Sequence, residues 1–355
     1  MKVISDIPST FYSKLSELHQ SKKQKEQDQL SLEGLPETEL LYYADDPEEF
    51  DAKVLKSFDQ YVVLDRTSFY ARGGGQEPDH GTIEGFDVVD VSKHGNIVLH
   101  ELKGGTIKEG DTVSCVVDSK RRDDITKNHT STHILNSSSR SVLGSWVWQH
   151  SAFKEEDHAR LDITHHSALT DDEIVKIENL ANSVVDKNMS VTIENFDRGD
   201  AEQKYGFKIY QGGIVPVKSV RIVSIEDFDI EACGGTHVKK TGEIKLVKIT
   251  RTKRIQDGVV RIEFVSGDTA LNYTKQHDVD LARESAELKH KAKLKEKRQE
   301  QKHELRERLP ILVENITECK IGTNNVDEIV VDITEPGKPN FCSAMNDQYL
   351  SLIHI

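Results

Sequence analysis

The 355-residue sequence contains no run of eighteen apolar residues and no apolar segment of a secretory leader near its N-terminus. Neither a membrane-crossing helix nor an export signal is therefore expected. Its four cysteines, Cys115, Cys233, Cys319 and Cys342, show no paired spacing, so a disulfide framework is not indicated and a reducing compartment, the cytoplasm, is expected. The segment His129-Thr130-Ser131-Thr132-His133 has Thr130 where a zincin protease carries its glutamate, which removes the general base of that chemistry. Gly73-Gly74-Gly75 is not followed by Lys-Ser/Thr, so no phosphate-binding loop is present to serve nucleotide activation. An excess of positive charge is also lacking. The formal net charge is −14, which argues against non-specific binding of nucleic acid by the chain as a whole.

What is present is a globular composition, 36% hydrophobic and 30% charged, long enough to bury a core and to divide into two or three domains. Two clusters carry chemistry. His129 and His133 stand four residues apart, which on a helix places both imidazoles on one face. Cys233 and His237 flank Gly234-Gly235-Thr236, where the glycines free the backbone to fold back on itself. Either cluster alone reads more often as exposed or hydrogen-bonded histidines or a small core cysteine than as metal ligands. Together they form a Cys/His donor set suited to tetrahedral zinc. Directly after the second cluster, Lys239, Lys240, Lys245, Lys248, Arg251, Lys253, Arg254 and Arg261 face only Glu243 and Asp257. This basic stripe reads either as a solvated strand face or as a contact for a polyanion.

The expected organisation is as follows. Residues 1–38 form a connector, with Phe11, Leu15 and Leu18 at helical spacing and a polar run to Gln29. Residues 39–120 hold short β-like runs (62–64, 87–91, 96–99 and 112–117) separated by turn residues, which read as a small barrel. Within it, Gly73-Gly74-Gly75-Gln76 reads either as a flexible hairpin or as a loop passing close to a ligand. Residues 121–267 form a zinc-containing core of class α+β. It has helices over 123–143 and 171–186, the second capped by Thr170 with Glu173, and strands over 147–163, 190–196, 215–225, 243–250 and 259–265. Residues 268–309 form a long charged helix ended by Pro310, and 310–355 the start of a domain that is not completed.

Several motifs carry a resemblance: Leu64 to Gln76 with its Gly-Gly-Gly-Gln end, His129 to Leu135, Ala159 to His165, Cys233 to Val238, Thr38 to Tyr43, and Tyr210-Gln211-Gly212-Gly213. Over most of residues 1–265 the chain resembles the editing half of an alanyl-tRNA synthetase, most of all the archaeal form, and the free-standing alanyl-tRNA editing proteins. The resemblance implies a hydrolase that cleaves the ester of serine, and of glycine, from mischarged tRNA(Ala). It implies that His129, His133, Cys233 and His237 hold zinc, that Gln76 sits in the editing pocket, and that Thr67 reads the seryl hydroxyl. It also implies a long helix leading to a dimer-forming, tRNA-contacting C-terminal region. The aminoacylation domain of the family has no counterpart here, so ligation of alanine is not expected.

Two mechanisms stay open at this level. Four protein ligands close a tetrahedral site. Either one ligand yields to water or substrate, or zinc orders the pocket while Gln76 places the water. Alternative functions are the related editing domain of threonyl-tRNA synthetases and a non-catalytic tRNA-binding fragment with structural zinc.

Overall fold

Alternating apolar and polar residues dictate the first half of the chain. In Thr112–Val117, Val113, Cys115 and Val117 are buried while their neighbours face water, the two-residue period of a strand with one buried face. The computed structural model describes residues 32, 34–44, 46–213, 218–313, 318–325, 328–334 and 341–345. The expected N-terminal connector helix lies outside the described residues.

In chain order the first strands are β1 (Glu39–Leu40), β2 (Glu49–Phe58), β3 (Tyr61–Leu64), β4 (Arg66–Thr67), β5 (Gly81–Ile83), β6 (Phe86–His94), β7 (Ile97–Leu102) and β8 (Thr112–Val117). Six of them pair as a closed barrel in the order β2-β3-β7-β6-β5-β8, with β1 and β4 forming a small parallel pair beside it. Val54, Val62, Leu64, Phe69, Ile83, Val91, Val98 and Cys115 fill its interior. The Gly-Gly-Gly-Gln turn connects β4 to β5. Sequence periodicity missed β2, because its run Glu49 to Phe58 carries charged residues on its outer face.

Helix α1 (Ser119–Leu143) follows. It starts four residues before the expected Asp123, because the Asp118 carboxylate accepts the Arg121 amide at 3.0 Å and caps it there. Strands β9 (Gln149–Lys154) and β10 (Ala159–Thr164) lead to α2 (Asp171–Asp186), which has the Thr170–Glu173 capping box. Then come β11 (Val191–Asp197), α3 (Arg198–Tyr205), β12 (Ser219–Ile225), β13 (Asp229–Ala232), β14 (Val247–Gln256) and β15 (Val259–Ser266). Residues 241–244, expected as the start of a strand, form a 3₁₀ turn, and the strand begins only at Val247.

Two sheets result, β14-β15-β10-β9 and β11-β12-β13, all their pairings antiparallel. Helices α1 and α2 and the first sheet share one core, with Ile134, Leu135, Leu161, Ile177, Val184, Ile262 and Phe264 at its centre. This mixture of helices and antiparallel sheets is α+β.

The chain divides into two units, Met1–Thr274 and Lys275–Ile355. Helix α4 (Gly267–Val313) begins in the first and continues into the second. It runs three residues past Pro310, where the sequence suggests a stop. A proline there removes one backbone donor without obliging the chain to leave the helix. Strands β16 (Glu318–Asn325), β17 (Glu328–Thr334) and β18 (Phe341–Met345) follow as an antiparallel meander. Among the described residues no helix is long and apolar enough to cross a membrane.

Candidate metal centre and its cavity

Helix α1 is buried over most of its circumference although it is mainly polar. Its buried apolar residues, Ile125, Ile134, Leu135 and Leu143, face the core, while His129 and His133, each 2% exposed, face the loop after β13. That loop carries Cys233 and His237. The donor atoms of His129, His133, Cys233 and His237 all lie within 4.8 Å of one another. The Cys233 Sγ stands 3.3 Å from His129 Nε2 and 3.4 Å from His237 Nε2. Arms of about 2.0–2.1 Å to nitrogen and 2.3 Å to sulfur place the corners of a zinc tetrahedron roughly 3.3–3.6 Å apart. The spacing fits.

The hydrogen bonds around the imidazoles fit as well. His129 Nδ1 donates to Gln76 Oε1 at 2.7 Å, His133 Nδ1 to Asp229 Oδ2 at 3.3 Å, and His237 Nδ1 to Thr130 Oγ1 at 3.2 Å. The Gln76 amide cannot be turned the other way, because Oε1 also accepts the Thr236 amide (3.0 Å) and Nε2 donates to Thr236 Oγ1 (3.0 Å). Thr130 Oγ1 gives its own proton to the Thr126 carbonyl at 3.1 Å, so toward His237 it accepts. All three rings are thereby held as Nδ1–H tautomers, and each keeps its Nε2 lone pair for a common centre. This is the outer-shell arrangement of a histidine metal site. Thr130, at the position where a zincin has its base, thus pairs with His237.

Electrostatics divide the cluster. Burial, with help from the Lys154 charge, holds His129 well below the usual imidazole range; burial and His133 do the same to His237. His133 goes the other way: burial opposes its charge, but Glu231, Cys233 and Asp229 outweigh it. Cys233, despite burial, is drawn down by His133 and Lys154. Burial and the adjacent Asp229 push Glu231 up. Asp229 and Glu231 lie two apart on β13, so both point toward His133 (Glu231 Oε2 at 3.5 Å).

The glycines act through space more than through freedom. A Cβ on Gly235 would sit 2.0 Å from His129 Cε1 and 2.8 Å from Gln76 Oε1, and its φ is not in the left-handed region. The carbonyls of Cys233 and Gly235 are both held at 2.9 Å by Arg221 Nη1, which fixes the loop against β12. Gly75 likewise meets protein rather than a ligand. A Cβ there would lie 2.0 Å from the Ala152 carbonyl, so the glycine turn is pressed onto β9. The turn is thus no free hairpin, and Gly74 and Gly75 face the cavity described next.

A cavity of about 520 Å³ opens on the centre, lined by His129, His133 and Cys233 together with Lys154, Glu231 and the Gly74-Gly75 and Gly212-Gly213 turns. A second of about 580 Å³ lies beyond the Cys233-Gly234 segment, lined by Tyr43, Arg221, His237 and Lys239.

Two of the residues singled out in the sequence lie off the cavity walls. Gln76 is fully buried behind His129, its carboxamide committed, and is not a wall residue of either cavity. Thr67 is fully buried beside the barrel core. His100 Nδ1 faces the Val62 carbonyl (3.1 Å), so its Nε2 accepts from the Thr67 hydroxyl (2.8 Å), which in turn accepts the Phe69 amide (3.0 Å). The hydroxyl proton is thus committed to His100, and Thr67 is on the wall of neither cavity. The sequence reading also missed Asp229, Glu231, Arg221 and Lys154. The acids at alternate positions just before Cys233 were a usable signal. Lys154 had none, since lysine is ordinarily a surface residue.

Comparison with known proteins bears on this geometry. Residues 220–263 match the family model described as threonyl and alanyl tRNA synthetase second additional domain, and residues 6–121 match tRNA synthetases class II (A). The chain is similar to the alanine–tRNA ligase of Nitrosopumilus maritimus, 66% identical over 313 residues, which is 88% of this chain and 35% of that protein. It is 55% identical over 346 residues to that of Cenarchaeum symbiosum, covering 98% of this chain and 38% of that protein. With that of Methanopyrus kandleri it shares 44% over 298 residues, 80% of this chain and 32% of that protein. The chain spans about a third of the length of the curated relatives it matches. Over that third, with matches to both family models, the chain belongs to the alanyl-tRNA synthetase family.

Proposed function

We propose that this chain is an aminoacyl-tRNA hydrolase that removes serine, and also glycine, from mischarged tRNA(Ala), with zinc held by His129, His133, Cys233 and His237. The observation that carries the reading is the convergence of four donors from α1 and the loop after β13, three of which (His129, His133 and Cys233) lie on the wall of a 520 Å³ cavity. That volume lies within the range for a small-molecule site and suits an aminoacyl group on its terminal ribose. Zinc, when bound, supplies a Lewis-acid centre beside the ester.

The chain's own residues do the rest. Gln76, Thr130 and Asp229 keep the imidazoles in the tautomer that presents Nε2. Arg221 holds the Cys233–Gly235 carbonyls, so the thiolate and His237 stay in register. The β9 strand and the glycine turns at 74–75 and 212–213 bound the cavity and limit how far an acyl group extends. In this role Gln76 is a positioning residue rather than the holder of the attacking water.

The test is deacylation of Ser-tRNA(Ala) beside Ala-tRNA(Ala), with and without a zinc chelator. Loss of serine that is fast, selective and abolished by the chelator is the expected result. Turnover that persists after the metal is removed would overturn the metal's part, and no turnover of either ester by the zinc-loaded chain would overturn the hydrolase.

A further inference from the structure

Among the described residues lining the 520 Å³ cavity, Lys154 is the only lysine or arginine. It ends β9 with its side chain 2% exposed. Its Nζ donates to the Gly74 carbonyl at 3.0 Å, and among the described residues it forms no salt bridge. An ammonium has three donors, so two remain for what enters the cavity. Burying such a charge is costly, and a neutral donor would satisfy a backbone carbonyl equally well. Cys233 and Glu231 offset part of that cost, and the two N–H groups not used by Gly74 are left on the cavity wall.

The backbone on both sides of the side chain is clamped. Lys154 N donates to the Gly75 carbonyl at 2.7 Å, and its own carbonyl accepts the Glu77 amide at 3.0 Å. Gln76 sits between these two bonds and reaches His129. Lys154 and His129 thus hang from the same turn, and the ammonium keeps a set position relative to the metal cluster.

We propose that Lys154 is a catalytic residue of the hydrolysis, donating to the ester carbonyl oxygen as negative charge develops there. The proposal rests on the hydrolase reading above. An aminoacyl ester carries an α-ammonium, which Lys154 repels and Glu231, on the same cavity wall, attracts. The carbonyl oxygen is the group left to face Lys154. In the step, the oxygen of water bonds to the carbonyl carbon, and the C=O π pair moves onto the carbonyl oxygen. That oxyanion accepts N–H bonds from Lys154. The pair returns, the bond to the ribose oxygen breaks, and the ribose oxygen takes the proton released by the water. The carboxylic acid then loses its proton to solvent. Fixed donors at a developing oxyanion lose nothing to reorganisation, and removing one typically lowers kcat by about 10²–10³.

The experiment uses the full chain with Ser-tRNA(Ala), comparing wild type with Lys154→Met and Lys154→Gln. Methionine keeps the volume, and glutamine keeps a neutral donor for Gly74 should the methionine variant fail to fold. Expected is a fall in kcat of about 10²–10³ with KM within about threefold, and unchanged zinc content and melting temperature. Affinity for a tetrahedral phosphonate analogue of 3′-seryl-adenosine should fall in step with kcat/KM, while a planar amide-linked analogue keeps its affinity. A kcat within about threefold of wild type, or equal weakening of both analogues together with lost zinc, would reduce Lys154 to a prop for Gly74 and overturn the proposal. Failure of the wild-type chain to hydrolyse any ester is a separate result, since it removes the hydrolase reading itself.

Discussion

The tautomer of His129 depends on one side chain, and that makes Gln76 the sharpest point for a substitution. Gln76→Leu leaves His129 Nδ1 and the Thr236 amide without partners in a buried place, while the Thr236 hydroxyl keeps Thr126 Oγ1 at 2.7 Å. Loss of an outer-shell partner of this kind typically weakens metal binding by about 10–100-fold. Buried unpaired groups cost about 1–3 kcal/mol. Gln76→Glu keeps an acceptor for His129 and should retain most of the affinity. Competition with a chromogenic chelator measures both variants. Equal zinc affinity in wild type and Gln76→Leu, with turnover lost, would return Gln76 to the water-placing role read from the sequence.

At the scale of an element, the barrel has a titratable group of its own. His100 on β7 is fully buried, and burial drops its pKa from 6.5 to about 4, the Val62 carbonyl offsetting this only in part. Between those values the unfolded chain binds a proton that the folded barrel refuses. Stability therefore rises with pH across this window and is lost as pH falls from about 6.5 toward 4. The shift corresponds to about 3 kcal/mol as an order of magnitude. Denaturant titrations of the wild type and of Thr67→Val at pH 7 and pH 5 check it. The wild type should be less stable at pH 5. Thr67→Val, which strands His100 Nε2 and the Phe69 amide, should cost about 1–3 kcal/mol at pH 7. It should reduce hydrolysis of seryl and glycyl esters alike, because the hydroxyl faces His100 and not the cavity.

The whole molecule divides near residue 274. The first turn of α4 belongs to the first unit: Ala270 is fully buried and the Gly267 amide donates to the Leu246 carbonyl at 3.0 Å. A chain ending after Thr274 should bind zinc and melt in one cooperative transition within a few degrees of the longer chain. Loss of either property would show that the second unit supports the first. Charge also looks different at this scale. In the basic stripe, Lys245 pairs with Asp268, Lys248 with Glu178, Arg254 with Asp257, and Arg261 with Asp162. Half of the eight residues are thus held by acids. Some of those acids are remote in sequence, which is why the run read as more basic than it is.

The sequence alone determined the two Cys/His clusters and most, though not all, of the strands and helices. Donor types and spacings four apart are local properties, as are the alternation of β8 and the Thr170–Glu173 cap of α2. The tertiary structure decided what those side chains face. The separations involved are large: 160 residues between Gln76 and Thr236, 96 between His133 and Asp229, and 80 between Lys154 and Gly74. No local pattern records such pairings. Hence Gln76 lies behind His129, Thr67 beside the barrel core, and an ordinary-looking lysine on the cavity wall. Burial and hydrogen-bond satisfaction set these roles, and both exist only once distant segments have packed together.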